Sequence, residues 1–196
     1  MDVFCYVIGC EQTKEAMVID PGGDVDRIQA EADRAGLTIT HIVNTHHHWD
    51  HTGGNTELRS RTGAKLIMHA AEDDILQQQN ASVPADVRIE AETAINVGRL
   101  TFRVLITPGH SPGGICLYSE GQLFTGDTLF VGDSGRTDLQ GGHRPTLGAS
   151  IRRLMELPDE TVVWPGHDYG PTPSSTIGWE KRNNVNAKEY GYYVSD

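Results

Sequence analysis

The sequence is poor in cysteine and in long apolar runs. Its three cysteines, Cys5, Cys10 and Cys116, are odd in number and form no CxxC pair, so they cannot build a disulfide framework, and we expect buried free thiols in apolar strands. No apolar run approaches the roughly 20 residues of a membrane-spanning helix. Residues 1–17 also lack the basic stretch and the small-residue cleavage site of a secretory signal. We therefore expect a cytoplasmic protein that does not associate with membranes.

Positive charge is scarce as well. Sixteen lysines and arginines stand against 27 aspartates and glutamates, which leaves a formal net charge of −11. Such a field repels phosphate backbones, so nucleic-acid binding is not expected. Apolar residues make up 37% and charged residues 22% of the 196 residues, a composition typical of a soluble globular chain that can bury a core as one domain.

Strand and helix patterns alternate along the first half of the chain. Apolar runs of strand length lie at residues 3–9, 16–20, 39–45 and 65–69. Between the second and third runs, apolar residues at helical spacing predict an amphipathic helix from Asp24, as N-cap, to Ala35, with Gly36 ending it. Residues 70–96 are acidic and glutamine-rich without a sustained period, so we expect short helices and a surface loop there, with no part in chemistry.

The second half repeats this style. Two hairpin patterns and a final strand are predicted at residues 93–97 with 100–107, 115–119 with 122–126, and 161–164. A helical face runs from Leu147 to Met155, and Pro158 ends it. No linker divides the chain, so the two strand–helix halves predict a single α/β domain over residues 1–196 with four layers, αββα.

Histidine is the abundant residue type, with nine in the chain, and several cluster in one segment. The segment THHHWDH at residues 45–51 directly follows a predicted strand. His46 and His48 are two residues apart, so their rings leave an extended backbone on the same side, and Asp50 and His51 come next in the turn. Imidazole and carboxylate together suit zinc, iron or manganese, and the lack of cysteine here argues against a closed structural zinc site. The alternative for this segment alone is a polar, histidine-rich surface loop.

Three more potential ligands follow predicted strands. His110 lies in TPGHSPGG, Asp127 in FTGDTLF and His167 in WPGHDYG, each just beyond an apolar run. A lone histidine or aspartate at such a position is usually a capping or hydrogen-bonding residue. Because all of them end strands in the same way, we expect them to converge on one edge of the sheets.

These motifs resemble the metallo-β-lactamase superfamily, whose fold is the four-layer αββα sandwich. Within it, the segment GDTLFVGDSGRTDLQGG is similar to the glyoxalase II-like, or hydroxyacylglutathione hydrolase-like, branch and its persulfide dioxygenase relatives. The resemblance extends from VIDPGGD to PGHDYGPTPSST, nearly the whole chain. It implies two divalent metal ions, zinc first with iron or manganese as the other candidates, held by the following residues: His46, His48 and His110 on one ion, Asp50, His51 and His167 on the other, and Asp127 between them.

The same resemblance implies hydrolysis of a small thioester of the S-lactoylglutathione type by metal-bound hydroxide. Asp50 would be catalytic, because it can orient that hydroxide as well as ligate a metal. Arg136 and Tyr169 are candidates for binding the substrate, since a guanidinium matches a carboxylate. The alternatives are an ion pair of Arg136 with Asp133 or Asp138, and a buried Tyr169 ring packed on its own turn.

Two departures from the family limit the prediction. Only 29 residues follow His167, so we expect no helical C-terminal domain of the kind that contributes to the glutathione site of glyoxalase II. The alternative activity is a glutathione persulfide dioxygenase, with one iron held by residues matching His46 or His48 together with His110 and Asp127. Those relatives usually carry cysteine where this chain has Ser134, which favours the hydrolase.

Other functions of the superfamily stay open to a smaller extent. Lactonases and related hydrolases use the same ligands, whereas a nuclease is disfavoured by the negative charge and a non-enzymatic domain by the complete ligand set. The remaining histidines, His41, His69 and His143, are expected to be ordinary strand or surface residues. The sequence does not predict an oligomeric state.

Overall fold

The computed structural model describes residues 3–195, which form two compact units, Val3–Arg103 and the residues from Val104 onward. Each unit contains strands and helices, in agreement with the predicted α/β class. No helix within residues 3–195 is long and apolar enough to cross a membrane.

The first unit holds a five-stranded sheet and four helices. Its elements, in chain order, are β1 (Tyr6–Gly9), β2 (Glu15–Ile19), α1 (Val25–Arg34), β3 (Thr38–Val43), α2 (Trp49–Thr52), α3 (Asn55–Thr62), β4 (Lys65–His69), α4 (Ala70–Gln78), β5 (Val87–Ile89) and β6 (Ala94–Val97), followed by the beginning of β7 (Leu100–Ile106). The sheet order is β1-β2-β3-β4-β5, with β1 antiparallel to β2 and all other neighbours parallel. Because parallel strands run in one direction, the segments after β2, β3 and β4 begin at the same edge of the sheet.

Helix α1 packs against this sheet through the residues that the sequence pattern selects. Val25, Ile28 and Ala32 are buried in a core with strand residues such as Val18 and Ile42. Gly36 follows with a φ of 65°, the left-handed conformation that ends a helix. The prediction for Asp24 is right in position and wrong in mechanism: it is the N-cap residue, but its φ is 50° and its side chain makes no capping hydrogen bond.

The second unit carries most of a six-stranded sheet, whose order is β11-β10-β9-β8-β7-β6, and the boundary between the units falls inside β7. The further elements are β8 (Ile115–Ser119), β9 (Gln122–Gly126), α5 (Arg144–Leu154), β10 (Val162–Pro165), β11 (Ser175–Thr176), α6 (Ile177–Asn183) and α7 (Ala187–Tyr190). Strands β9 and β10 are parallel and place Gly126 opposite Pro165. The segments that follow these two strands therefore start side by side.

The sequence patterns missed several short elements. In residues 70–96, α4 agrees with the short helices predicted there, whereas the three-residue strand β5 was not predicted. Beyond residue 165 the chain forms β11, α6 and α7, and Ile177, Ala187 and Tyr190 from this region are buried in the core around α5. The three cysteines are free thiols as predicted, with Cys10 and Cys116 buried and Cys5 half-buried.

Candidate metal centre

The histidine-rich segment after β3 brings imidazole nitrogens together. His46 Nε2 lies 3.0 Å from His48 Nδ1, and the two ring centroids are 4.7 Å apart. His46 and His51 are buried and tilted against each other, with ring centroids 4.2 Å apart. The prediction that the rings of His46 and His48 lie on the same side of the backbone is therefore confirmed. His51 joins them because α2 turns the chain back.

Asp20, directly after β2, orients two of these histidines. Its buried carboxylate accepts hydrogen bonds from the Thr45 backbone N–H at 2.7 Å, from Thr45 Oγ1 at 2.6 Å and from His51 Nδ1 at 3.0 Å. The Thr45 hydroxyl in turn lies 3.0 Å from His46 Nδ1, which donates to it. Both imidazoles thus carry their proton on Nδ1 and present Nε2 as a bare donor, the arrangement that metal-binding histidines use.

Asp20 was not identified from the sequence as a functional residue. The sequence pattern that could have identified it is an aspartate directly after an apolar strand, the same pattern that identified Asp127. Asp20, His46 and His51 each offer a potential ligand atom, and these atoms lie within 4.8 Å of one another.

Glu72, on α4, holds the middle histidine of the segment. Its fully buried carboxylate accepts the His47 backbone N–H at 2.9 Å and forms a short hydrogen bond with His47 Nδ1. His47 is itself buried, and its ring centroid is 4.7 Å from that of His48. Residues 70–96, in which the sequence suggested no chemistry, therefore contribute one buried contact to the histidine-rich segment.

Backbone packing and an amide network fix the rest of this loop. Asn44 Nδ2 donates to the His51 carbonyl at 3.1 Å, and Asn55 Nδ2 donates to Asn44 Oδ1 at 2.8 Å. A Cβ added at Gly22 would stand 1.7 Å from the carbonyl oxygen of Asp50. Only glycine therefore allows the turn after β2 to approach residues 45–51, which we call the metal loop, this closely.

The second unit forms a cluster around one carboxylate. Asp127 Oδ2 lies 3.3 Å from His167 Nε2 and 3.6 Å from His110 Nε2, and all three side chains are buried. Asp127 and His167 meet because β9 and β10 are parallel, with a register shift at Trp164/Pro165 that pairs Pro165 with Gly126. The convergence predicted for these three strand ends is present.

His110 is oriented by a backbone carbonyl. Its Nδ1 donates to the carbonyl oxygen of Arg136 at 2.7 Å, which leaves Nε2 facing Asp127. A Cβ at Gly135 would lie 1.9 Å from the Asp127 carbonyl oxygen and 2.9 Å from His110 Nδ1, so this loop can reach the histidine only with glycine at that position.

The donor atoms have the spacing that a small ion requires. Two atoms that each bind one tetrahedral ion at about 2.1 Å lie about 3.4 Å from each other. The contacts of 3.3 and 3.6 Å around Asp127 and of 3.0 Å between His46 and His48 fall near this value. Buried imidazoles and a carboxylate at this spacing fit divalent zinc, iron or manganese.

The candidate substrate residues differ in their surroundings. Arg136 forms a two-pronged ion pair with Asp138, from Nε at 2.6 Å and Nη2 at 2.7 Å, and its hydrogen bonds lower the pKa of Asp138 to about 2. Of the two pairings considered from the sequence, Asp138 is the observed one. The Tyr169 ring stacks on His167 with centroids 4.5 Å apart, and the side chain is 56% exposed, so the alternative of a buried ring is wrong.

Residues 175–186 form hydrogen bonds that stabilise the loop before Arg136. Buried Glu180 on α6 accepts hydrogen bonds from the Gly132 N–H at 3.0 Å, Ser175 Oγ at 2.5 Å and Asn184 Nδ2 at 2.7 Å. Burial raises the pKa of this carboxyl in spite of these donors. Asn186 Nδ2 adds a bond to Asp133 Oδ1 at 2.8 Å. Residues after 176, in which the sequence indicated no function, therefore support the loop whose carbonyl orients His110.

The three remaining histidines have local structural contacts, as expected. His69 Nδ1 accepts the Ala71 N–H at 3.1 Å and so caps α4. His143 Nδ1 lies 2.7 Å from Thr146 Oγ1, and His41 Nδ1 lies 2.8 Å from Thr40 Oγ1.

Comparison with known proteins relates both clusters to one family. The sequence profile of the metallo-beta-lactamase superfamily matches residues 1–167. A hydroxyacylglutathione hydrolase from Rhodospirillum rubrum is 38% identical over 170 residues, which cover 86% of this chain and 63% of the relative. The chain thus spans somewhat less than two thirds of that enzyme's length.

Solved structures show the same fold. ETHE1 from Myxococcus xanthus is 37% identical with a TM-score of 0.85, covering 98% of this chain and 84% of that protein. TTHA1623, solved in a di-iron-bound form, is 33% identical with a TM-score of 0.76, covering 92% of this chain and 93% of that protein. The α/β fold predicted from the sequence is thereby confirmed.

Proposed function

Because the chain belongs to the metallo-β-lactamase superfamily, we propose that it is a metal-dependent hydrolase that cleaves a small thioester of the hydroxyacylglutathione type. The observation that carries this proposal is the buried Asp127 carboxylate, whose Oδ2 lies within 3.6 Å of two imidazole nitrogens. One carboxylate between two histidines can serve two ions, and paired ions suit hydrolysis.

The proposed site is dinuclear. This assignment rests on the family motif, and the geometry within each unit supports it: the Nδ1 protons of His46, His51 and His110 are bound to oxygen acceptors, which directs each Nε2 to a metal. We assign the ligands in the way the motif implies: His46, His48 and His110 to one ion, Asp50, His51 and His167 to the other, and Asp127 to both. Zinc is the first candidate, and iron or manganese also suits these donors.

The chemistry divides between the ions and the chain. When bound, the ions lower the pKa of a water molecule towards neutrality and polarise the thioester carbonyl. Asp50 orients the attacking water, while Arg136 and Tyr169 contact the substrate. The departing thiolate is a good leaving group, so the site does not need a strong general acid.

A persulfide dioxygenase is the second candidate, because part of the ligand set suffices for it. His110 and Asp127, which lie 3.6 Å apart, would supply one histidine and the carboxylate of the two-histidine, one-carboxylate set of iron oxygenases, and His46 or His48 would supply the other histidine. In that case a single iron would bind, and oxygen would be consumed.

Metal analysis and turnover together test the proposal. Protein purified without chelator or added metal is expected to carry close to two ions per chain and to hydrolyse S-lactoylglutathione. Chelation should abolish turnover, and zinc, manganese or iron should restore it. One iron per chain with oxygen uptake on glutathione persulfide, and no thioester turnover, would replace the hydrolase with the dioxygenase.

A further inference from the structure

A cavity of about 650 Å³ lies within the first unit beside the metal loop. Trp49 and Asp50 of that loop line it, together with Phe4, Val7, the N-cap residue Asp24 and two residues of α1, Arg27 and Glu31. We call it the α1 groove. A cavity of this size can hold a small organic ligand.

Arg27 is a cation that forms no ion pair among residues 3–195. Its neighbours on α1 are engaged elsewhere: Glu31 pairs with Arg34 at 2.6 Å, and Asp26 pairs with Arg61 at 2.6 Å. Among residues 3–195, no carboxylate forms an ion pair with Arg27, although the chain carries a net charge of −11. A guanidinium left free in this way can bind a carboxylate through two parallel hydrogen bonds.

Asp24, the N-cap residue of α1, lies three residues before Arg27, and both residues line the groove. The Asp24 side chain does not cap α1, and it forms no ion pair within the part of the chain that the structure describes. Of the other carboxylates that line the groove, Glu31 pairs with Arg34 and Asp50 belongs to the proposed metal site. The groove therefore presents one carboxylate, Asp24, and one guanidinium, Arg27, that form no ion pair among residues 3–195. A group that carries an ammonium and a carboxylate on one carbon complements this pair.

Trp49 supplies an apolar wall next to these charges. Its side chain is 70% exposed, although it follows directly on the buried histidines of the metal loop. Exposed aromatic surface that borders a cavity is typical of binding sites. Asp50, the residue proposed to orient the attacking water, lines the same groove.

We propose that the α1 groove binds the α-amino-carboxylate head of a thiol-derived substrate, with the carboxylate on Arg27, the ammonium on Asp24 and the apolar part of the ligand on Trp49. This proposal rests on the proposed thioesterase function only for the identity of the substrate. The assigned contacts concern binding and can be measured without turnover.

Binding of S-methylglutathione, which has no thioester to cleave, tests the groove. Isothermal titration of the metal-loaded protein should show that Arg27→Gln raises the Kd roughly ten- to hundredfold, the range of a charge-assisted hydrogen-bonded contact. Arg59→Gln is the control, because it removes the same charge from the first unit at a residue that pairs with Asp86, and neither residue lines the groove. It should change the Kd less than twofold.

Two further probes identify the head group. N-acetyl-S-methylglutathione lacks the ammonium, so it should bind the wild-type protein more weakly and be insensitive to Asp24→Asn. S-methylcysteine carries the same head without the peptide, and its affinity tells whether the groove reads an amino acid alone or a γ-glutamyl peptide.

The result separates this proposal from the hydrolase. Equal affinity of wild type and Arg27→Gln for S-methylglutathione, or no binding to the wild type at millimolar concentration, overturns the groove even if thioesters are hydrolysed. Arg27-dependent binding without thioester turnover supports the groove and rejects the hydrolase.

Discussion

Replacing Glu72 tests how the histidine segment is held in place. The carboxylate is completely buried and accepts two hydrogen bonds from His47, one from the backbone and one from the ring. His47 lies between His46 and His48, whose facing nitrogens are 3.0 Å apart. If Glu72 positions this segment, its loss should weaken metal binding and not only folding.

The size of the effect follows from the buried donors. In Glu72→Ala both donors of His47 lose their acceptor, and each unsatisfied buried group costs about 1–3 kcal/mol, so we expect a loss of about 2–6 kcal/mol in the free energy of unfolding. Glu72→Gln keeps the volume and one acceptor oxygen, so a loss of about 1–3 kcal/mol is expected. Loss of a residue that orients metal ligands typically lowers metal affinity about 10- to 100-fold.

Asp73 provides the matched control for this experiment. It is buried on the same helix, but it accepts its hydrogen bonds from Arg88 at 2.9 Å and from the Ala85 N–H at 3.1 Å. Asp73→Asn should therefore destabilise the protein and leave metal affinity unchanged. Urea denaturation in chelator measures stability, and competition with a metal-binding dye at low urea measures affinity. If Glu72→Gln retains wild-type metal affinity, or if Asp73→Asn loses as much, then Glu72 acts only in folding.

Three further predictions concern the second unit. Asp127→Ala should lose both ions with little change in the far-ultraviolet circular dichroism, and retention of one ion per chain in metal analysis would reject its shared role. Arg136→Ala should raise KM about ten- to hundredfold with a small change in kcat, because a charge-assisted contact with the substrate is lost. Asp138→Asn frees the guanidinium and should lower KM. An unchanged KM in Arg136→Ala would mean that this arginine stabilises its loop and does not bind the substrate. Burial raises the pKa of Glu180, so its contribution to stability is full at low pH and falls as pH rises through that pKa. Urea denaturation at a series of pH values should show this decline in the wild type and not in Glu180→Gln. An equal dependence of the free energy of unfolding on pH in the two proteins would contradict the prediction.

The strands and the seven candidate ligands could be predicted because their signals are local. An apolar run of five to eight residues specifies a strand such as β4, and a histidine or aspartate directly after it lies at the sheet edge whatever the rest of the chain does. Strand β5 has three residues and β11 has two, which is too short to form a pattern. Helices α6 and α7 follow a segment rich in proline and serine and are stabilised by burial of Ile177 and Tyr190, which only tertiary packing reveals.

The residues that orient the candidate ligands lie beyond the reach of sequence patterns for a related reason. Glu72 is one of several acidic residues in an acidic stretch, and nothing local distinguishes it from Asp74, which is exposed and pairs with Arg88. Its role arises because β3 and β4 are parallel neighbours, so that the start of α4 lies beside the loop after β3. A buried carboxylate is stable only with donors to satisfy it, and His47 supplies two. The burial of Glu72 on this helix is therefore explained by the metal loop beside it. Neither feature can be recognised without the other.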